Sequence, residues 1–127
     1  MRVKDPGHDY VLESLDGDAP QRLTFVKREG PGFPGNVGSH PGTTTQEVLR
    51  ALIERGEYVN GQVPCAETEA ATELMKAALL IYESRAARRH ERVMADFETV
   101  DALVAARGCW RCGHLGCEGD CHREDEG

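Results

Sequence analysis

At 127 residues and 14.0 kDa the chain has room for one domain and a small appended module. With 39% hydrophobic residues and a mean hydropathy of −0.51 it can bury only a modest core, and self-association is one way to cover more apolar surface. A net charge of −7 argues against a protein that coats duplex DNA; no apolar run is long enough to span a membrane, and the opening MRVKDPGHDY lacks the apolar stretch of a secretory signal.

In chain order, residues 1–9 are polar and read as a frayed end. Residues 10–15 (YVLESL) read as a strand, Asp16-Gly17-Asp18-Ala19-Pro20 as a turn, and residues 21–28 as a second strand in which Leu23 and Phe25 alternate with Arg22 and Thr24. The two strands predict a β-hairpin that must pack on another element, because a lone hairpin is marginal in water. Residues 30–42 (GPGFPGNVGSHPG) hold eight Gly or Pro in thirteen positions and cannot form regular structure. They lack the spacing of a phosphate loop. They read as a connector or, alternatively, as a ligand-facing loop whose glycines let backbone N–H groups approach an anion.

Thr44-Thr45-Gln46-Glu47 is a capping box, opening a helix over residues 44–60 whose apolar positions are Val48, Leu49, Leu52, Ile53 and Val59, with Asn60-Gly61 as its stop. Cys65 reads as a small core residue. A second helix runs from residue 66 to about 92. Ala71, Leu74, Met75, Ala78, Leu79 and Tyr82 form its apolar stripe, widened by Ala77, Leu80 and Ile81, which implies burial on several faces and hence a homo-oligomer. Arg85, Arg88, Arg89 and Arg92 follow at i, i+3, i+4 and i+7. Like charges at that spacing cost stability, so the cluster is either a solvated face with ion pairs between subunits or an anion site suited to phosphate. Spacing at Val93, Phe97, Val100, Leu103 and Val104 predicts a further helix over about 93–107, capped by Gly108, which either continues the second helix or bends back.

The joint spacing of Gly42, Thr44, Leu49, Arg55, Cys65, Glu67, Ala78, Leu79, Glu83, Arg85, Arg89 and Arg92, with Phe25 before them, resembles the hairpin-domain family of phage nucleotide sponges that antagonise Thoeris and CBASS defence. The resemblance covers residues 10–92. It implies an α+β fold, a small antiparallel sheet packed on a long helical hairpin, assembled as a dimer or hexamer in the host cytoplasm. It also implies sequestration, without catalysis, of a cyclic ADP-ribose isomer or a cyclic oligonucleotide, with Arg85, Arg89, Arg92, Thr44 and Phe25 as ligand-binding residues. The chain departs from the family after Arg92, where Val93-Met94-Ala95-Asp96 replaces a glycine-rich turn, and at Pro41 and Thr68, which stand in place of asparagines. No nucleophile–base pair or paired carboxylates are spaced for catalysis, which predicts a protein that is not an enzyme.

Residues 1–107 thus form the main domain and 108–127 a separate module with an acidic tail. That module reads C-x2-C-x4-C-x3-C-H and resembles a zinc knuckle. Thiolates and imidazole suit tetrahedral zinc, and so short a segment has no core without a metal. The predicted ligands of one structural zinc are Cys109, Cys112, Cys117 and Cys121, with His122 as the alternative fourth ligand. Trp110, with Arg107 and Arg111, suggests an alternative function: an oligomeric zinc-knuckle protein that binds single-stranded nucleic acid or acts as an adaptor. The acidic residues Glu118, Asp120, Glu124, Asp125 and Glu126 oppose nucleic-acid binding.

Overall fold

The computed structural model describes residues 1–92, 94 and 96–106. It shows an α+β chain, with a three-stranded antiparallel sheet of order β1-β2-β3 followed by three helices. The chain divides into two units, Met1–Ala51 and Leu52–Gly127.

In the first unit, the N-terminal residues are not frayed. β1 (Arg2–Asp5) pairs antiparallel with β2 (Asp9–Leu12). The cause is the intervening Pro6-Gly7. The His8 N–H donates to the Asp5 carbonyl at 2.9 Å and Gly7 has φ +84, the geometry of a type II turn with Pro at its second position and Gly at its third. β2 stops at Leu12 rather than running to Leu15, which is 97% exposed. β3 (Gln21–Thr24) pairs with β2, Tyr10 opposite Leu23 and Val11 opposite Arg22.

The predicted second strand keeps its regular form only to Thr24, because β2 has turned away by His8 and the chain changes partner. The Phe25 N–H still reaches the His8 carbonyl at 2.7 Å. Beyond it, Phe25 bridges Thr43 in parallel and Lys27 bridges His40 antiparallel. Lys27 and His40 exchange both backbone bonds, at 3.0 and 3.1 Å. The glycine-rich segment is therefore irregular, as expected, but its ends are clamped. Gly42 sits at the tightest point of the clamp: a Cβ there would lie 2.4 Å from the Phe25 carbonyl carbon and 2.6 Å from the Thr24 oxygen.

Helix α1 (Thr45–Gln62) starts where the capping box places it. Thr44 Oγ1 accepts the Glu47 N–H at 3.1 Å. The Glu47 carboxylate accepts from Arg50 at 3.1 Å, instead of reaching back to the Thr44 N–H. Thr44→Ala is expected to cost about 1 kcal/mol of stability in chemical denaturation; an unchanged midpoint would show that the cap carries nothing.

In the second unit, Asn60-Gly61 does not end α1. Gly61 keeps a negative φ and stays helical, while Asn60 Oδ1 accepts the Cys65 N–H at 2.8 Å and ties the end of α1 to the start of α2 (Ala66–Arg89). The two helices form an antiparallel hairpin, joined by Lys76–Glu57 at 2.9 Å. Gly56 lets them approach, since a Cβ there would fall 2.4 Å from Thr72 Oγ1. Cys65 is a correction to the core reading: it occupies the N-cap position of α2 in extended conformation and is exposed.

α2 ends at Arg89, three residues before the expected limit. His90 caps it, Glu91 takes the left-handed conformation at φ 56, and the Arg92 N–H returns to the Ala87 carbonyl at 2.8 Å. The predicted further helix is separate: α3 (Phe97–Ala106) packs on α2, burying Val100 with Ala87 and Ser84. Arg107 and Gly108 lie outside the described residues. The apolar stripe of α2 is only partly covered, with Leu74 72% and Tyr82 41% exposed. No helix among the described residues is long and apolar enough to cross a membrane.

Candidate functional site

The basic end of α2 separates into two kinds of arginine. Arg88 is committed: its guanidinium donates to Asp101 Oδ1 at 2.9 Å and lies 4.5 Å from the centre of the Phe97 ring, so it fastens α3 to α2. Arg85 and Arg89, one helical turn apart, are exposed and have no carboxylate partner among the described residues; the same holds for Arg92, whose backbone is held against the last turn. The C-terminal partial charge of the helix, roughly −0.5, favours cations there by about 0.3–1 kcal/mol. Three full positive charges exceed that half charge.

The two other predicted ligand residues belong to the first unit. Phe25 is half-buried and packs edge-on against Tyr10, ring centres 6.0 Å apart. Thr44 is one residue beyond the Phe25–Thr43 bridge. Its hydroxyl accepts from the helix and keeps its own proton to donate.

Sequence reasoning missed a polar network beneath this region. Asp9, 7% exposed, accepts both a bidentate pair from Arg22 and a bond from Thr24 Oγ1 at 3.3 Å. Asp5 accepts from the nearly buried Lys27 at 2.8 Å. His8 Nδ1–H donates to the Pro6 carbonyl at 3.1 Å, which leaves Nε2 facing the Asn36 amide at 3.5 Å. The signal that would have exposed it is Asp5-Pro6-Gly7-His8, a turn sequence that brings Asp5 and Asp9 to one end of the sheet.

The hydrogen bond from Lys27 holds the Asp5 carboxyl below the ordinary carboxylate range against the opposing effect of desolvation, and the bonds from Arg22 do the same for Asp9. A depressed folded-state value means the stabilisation is present above the unfolded pKa and is lost as pH falls through the folded one. The sheet is therefore expected to lose stability below about pH 4. Amide NMR of the strands from pH 6 to pH 2 should show this loss, and it should be blunted in Asp5→Asn/Asp9→Asn; identical profiles would remove the network from the account.

The Cys65 thiol makes no cap bond of ordinary geometry. The Thr68 N–H, then the Glu67 N–H and the Thr68 hydroxyl, nonetheless hold its pKa below that of an ordinary thiol. Its alkylation should rise at lower pH than that of a free cysteine, read by peptide mass spectrometry; a rise at or above the ordinary thiol value would contradict the placement.

The predicted zinc ligands Cys109, Cys112, Cys117, Cys121 and His122 lie outside the described residues. Among the described residues no group of three or more His, Cys, Asp or Glu is placed to hold a metal. No known protein family, curated protein or solved structure matches the chain.

Proposed function

We propose that this protein binds and sequesters a cyclic nucleotide immune signal, a cyclic ADP-ribose isomer or a cyclic oligonucleotide, without catalysis. The observation that carries the reading is the set of three guanidiniums, on Arg85, Arg89 and Arg92, that have no carboxylate partner among the described residues, in a chain that has 22 Asp and Glu against 15 Lys and Arg. Carboxylates are abundant, with Glu83 and Glu91 close by in the sequence, so three guanidiniums that none of the described carboxylates pairs support an external anion as their partner. Phosphate suits the guanidinium fork. The spacing resemblance to phage nucleotide sponges supplies the ligand class and the setting, an infected host's cytoplasm. The resemblance also names Phe25 and Thr44 as ligand-binding residues. The exposed Leu74 and Tyr82 serve self-association into a dimer or hexamer. Analytical ultracentrifugation should show an oligomer at micromolar concentration, and a monomer at high micromolar concentration would defeat the self-association.

The C-x2-C-x4-C-x3-C-H run favours a second reading, a zinc-knuckle adaptor or single-strand binder that oligomerises through its helices. Both readings include one structural zinc on Cys109, Cys112, Cys117 and Cys121. Cysteine takes the fourth place ahead of His122 because thiolate is the stronger zinc ligand and a closed site holds four. Mass spectrometry under reducing conditions should find one zinc per chain in wild type and loss in Cys121→Ser. Full occupancy in Cys121→Ser with loss in His122→Ala would reverse the choice. Calorimetry against cyclic nucleotides, cyclic ADP-ribose isomers and single-stranded RNA and DNA separates the functions. Tight binding to the strands alone would favour the second reading.

A further inference from the structure

The glycine-rich loop has no part in the reading above, and the structure gives it a definite shape. Two successive turns, Phe33 N–H to Gly30 carbonyl at 2.9 Å and Asn36 N–H to Phe33 carbonyl at 3.2 Å, set the position of Phe33. The Asn36 amide then fastens the loop by donating to the Arg28 carbonyl at 2.9 Å. Gly30, Gly35 and Gly38 take φ of +120, +88 and +86, and nothing lies within 4 Å of where their side chains would be. These glycines are required by backbone conformation and not by packing. The loop holds a shape it does not need for a core.

That shape encloses one side of an open groove of about 720 Å³, a volume in the range of small-molecule sites. Val26, Pro41 and Phe33, which stays 36% exposed, give it apolar walls. The Lys27–His40 double bridge makes its floor rigid. Its polar groups are sorted by their other bonds. Lys27 is neutralised by Asp5. Arg28 is exposed and has no carboxylate partner among the described residues, although Glu29 also lines the groove. His40 Nδ1–H donates to the Pro41 carbonyl at 3.1 Å, so Nε2 is left to accept a hydrogen bond. An aromatic face, one available guanidinium and one imidazole acceptor remain. A neutral apolar guest would leave the guanidinium and imidazole unused, and a small inorganic anion would leave the aromatic wall wet.

We propose that this groove is a ligand site for a planar aromatic compound carrying an anionic group, with the ring on Phe33, the anion on Arg28 and a ring or sugar donor on His40 Nε2. Glu29 limits the charge the groove tolerates and disfavours polyanions. The inference does not depend on the arginines of α2.

The test is an NMR titration of the full chain with adenosine 5′-monophosphate, indole-3-carboxylate and neutral adenosine. At least one of the two anions is expected to give saturable shifts at the amides of residues 28, 33 and 38, with adenosine about tenfold weaker or worse. Tighter binding of the monophosphate assigns a nucleotide and tighter binding of the indole acid an aromatic carboxylate. Phe33→Ala and Arg28→Ala should each weaken binding about tenfold, the scale of one lost stacking or charged contact, and Phe33→Trp should retain it. Both alanine positions are exposed, so unchanged amide shifts in β1, β2 and β3, which belong to the same unit, certify the fold. Absence of saturable shifts at the groove with either anion, or wild-type affinity in both alanine variants, overturns the proposal. Loss of nucleotide binding at α2 alone leaves it standing.

Discussion

Gly42→Ala is expected to destabilise the first unit by about 3 kcal/mol, a fall in Tm on the order of 10 °C. The added Cβ would meet the carbonyl carbon of Phe25 at 2.4 Å, the Thr24 oxygen at 2.6 Å and the Phe25 oxygen at 2.7 Å. All three are backbone atoms of one strand, so no rotamer change relieves the overlap, and residues 40–43 must move away from 24–27. That movement breaks the Val26–Thr43 and Thr43–Thr24 backbone bonds, each 2.9 Å, and displaces the Thr44 cap beside them. Gly61→Ala is the control. Nothing lies within 4 Å of its Cβ position and its backbone is helical, so alanine there should stabilise by about 0.5 kcal/mol. Thermal unfolding of the two variants should therefore shift in opposite directions. A Gly42→Ala protein as stable as wild type would mean that the 24–27 and 40–43 segments are not in contact.

The helices were legible because their signals are local. The Thr44 cap, the Ala66 start and the existence of a helix beyond residue 92 follow from spacing and capping chemistry within a few residues, whereas the break that separates α3 (Phe97–Ala106) from α2 does not. What was illegible depended on remote partners. Residues 1–9 look polar and frayed in isolation, and become β1 only because Pro6-Gly7 returns the chain onto itself. Asn60-Gly61 reads as a stop, but the Asn60 side chain is drawn to Cys65, and Gly61 stays helical. Cys65 reads as a core residue on side-chain character alone, whereas the N-cap position puts it in water. The four-arginine face was visible by periodicity. That Arg88 is taken by Asp101 and Phe97, and that Arg92 lies past a left-handed Glu91, required the tertiary fold. The groove on the glycine-rich loop was legible only as a composition, because its walls come from residues brought together by the Lys27–His40 bridge.

The second large effect concerns the anion site. Arg85→Ala/Arg89→Ala removes two of the three guanidiniums that have no carboxylate partner among the described residues and touches no buried contact, since both side chains are exposed. A charge-assisted bond to phosphate is worth about 1.5–3 kcal/mol, so the pair should cost at least about a hundredfold in affinity for a phosphate-bearing signal, with little change in Tm. Arg88→Ala should behave differently. It should lower stability through the lost Asp101 and Phe97 contacts and affect binding less. Lysine at 85 and 89 would keep the charge but lose the fork, and should recover only part of the affinity.

The most direct measurement is isothermal titration calorimetry of the full-length protein and its Arg85→Ala/Arg89→Ala variant against a panel of cyclic oligonucleotides and cyclic ADP-ribose isomers, with product analysis of the ligand afterwards. The account expects saturable binding of at least one member, recovery of that ligand chemically unchanged, and a loss of about a hundredfold or more in the variant. Wild-type protein that binds no member of the panel, or that returns a cleaved ligand, would contradict it.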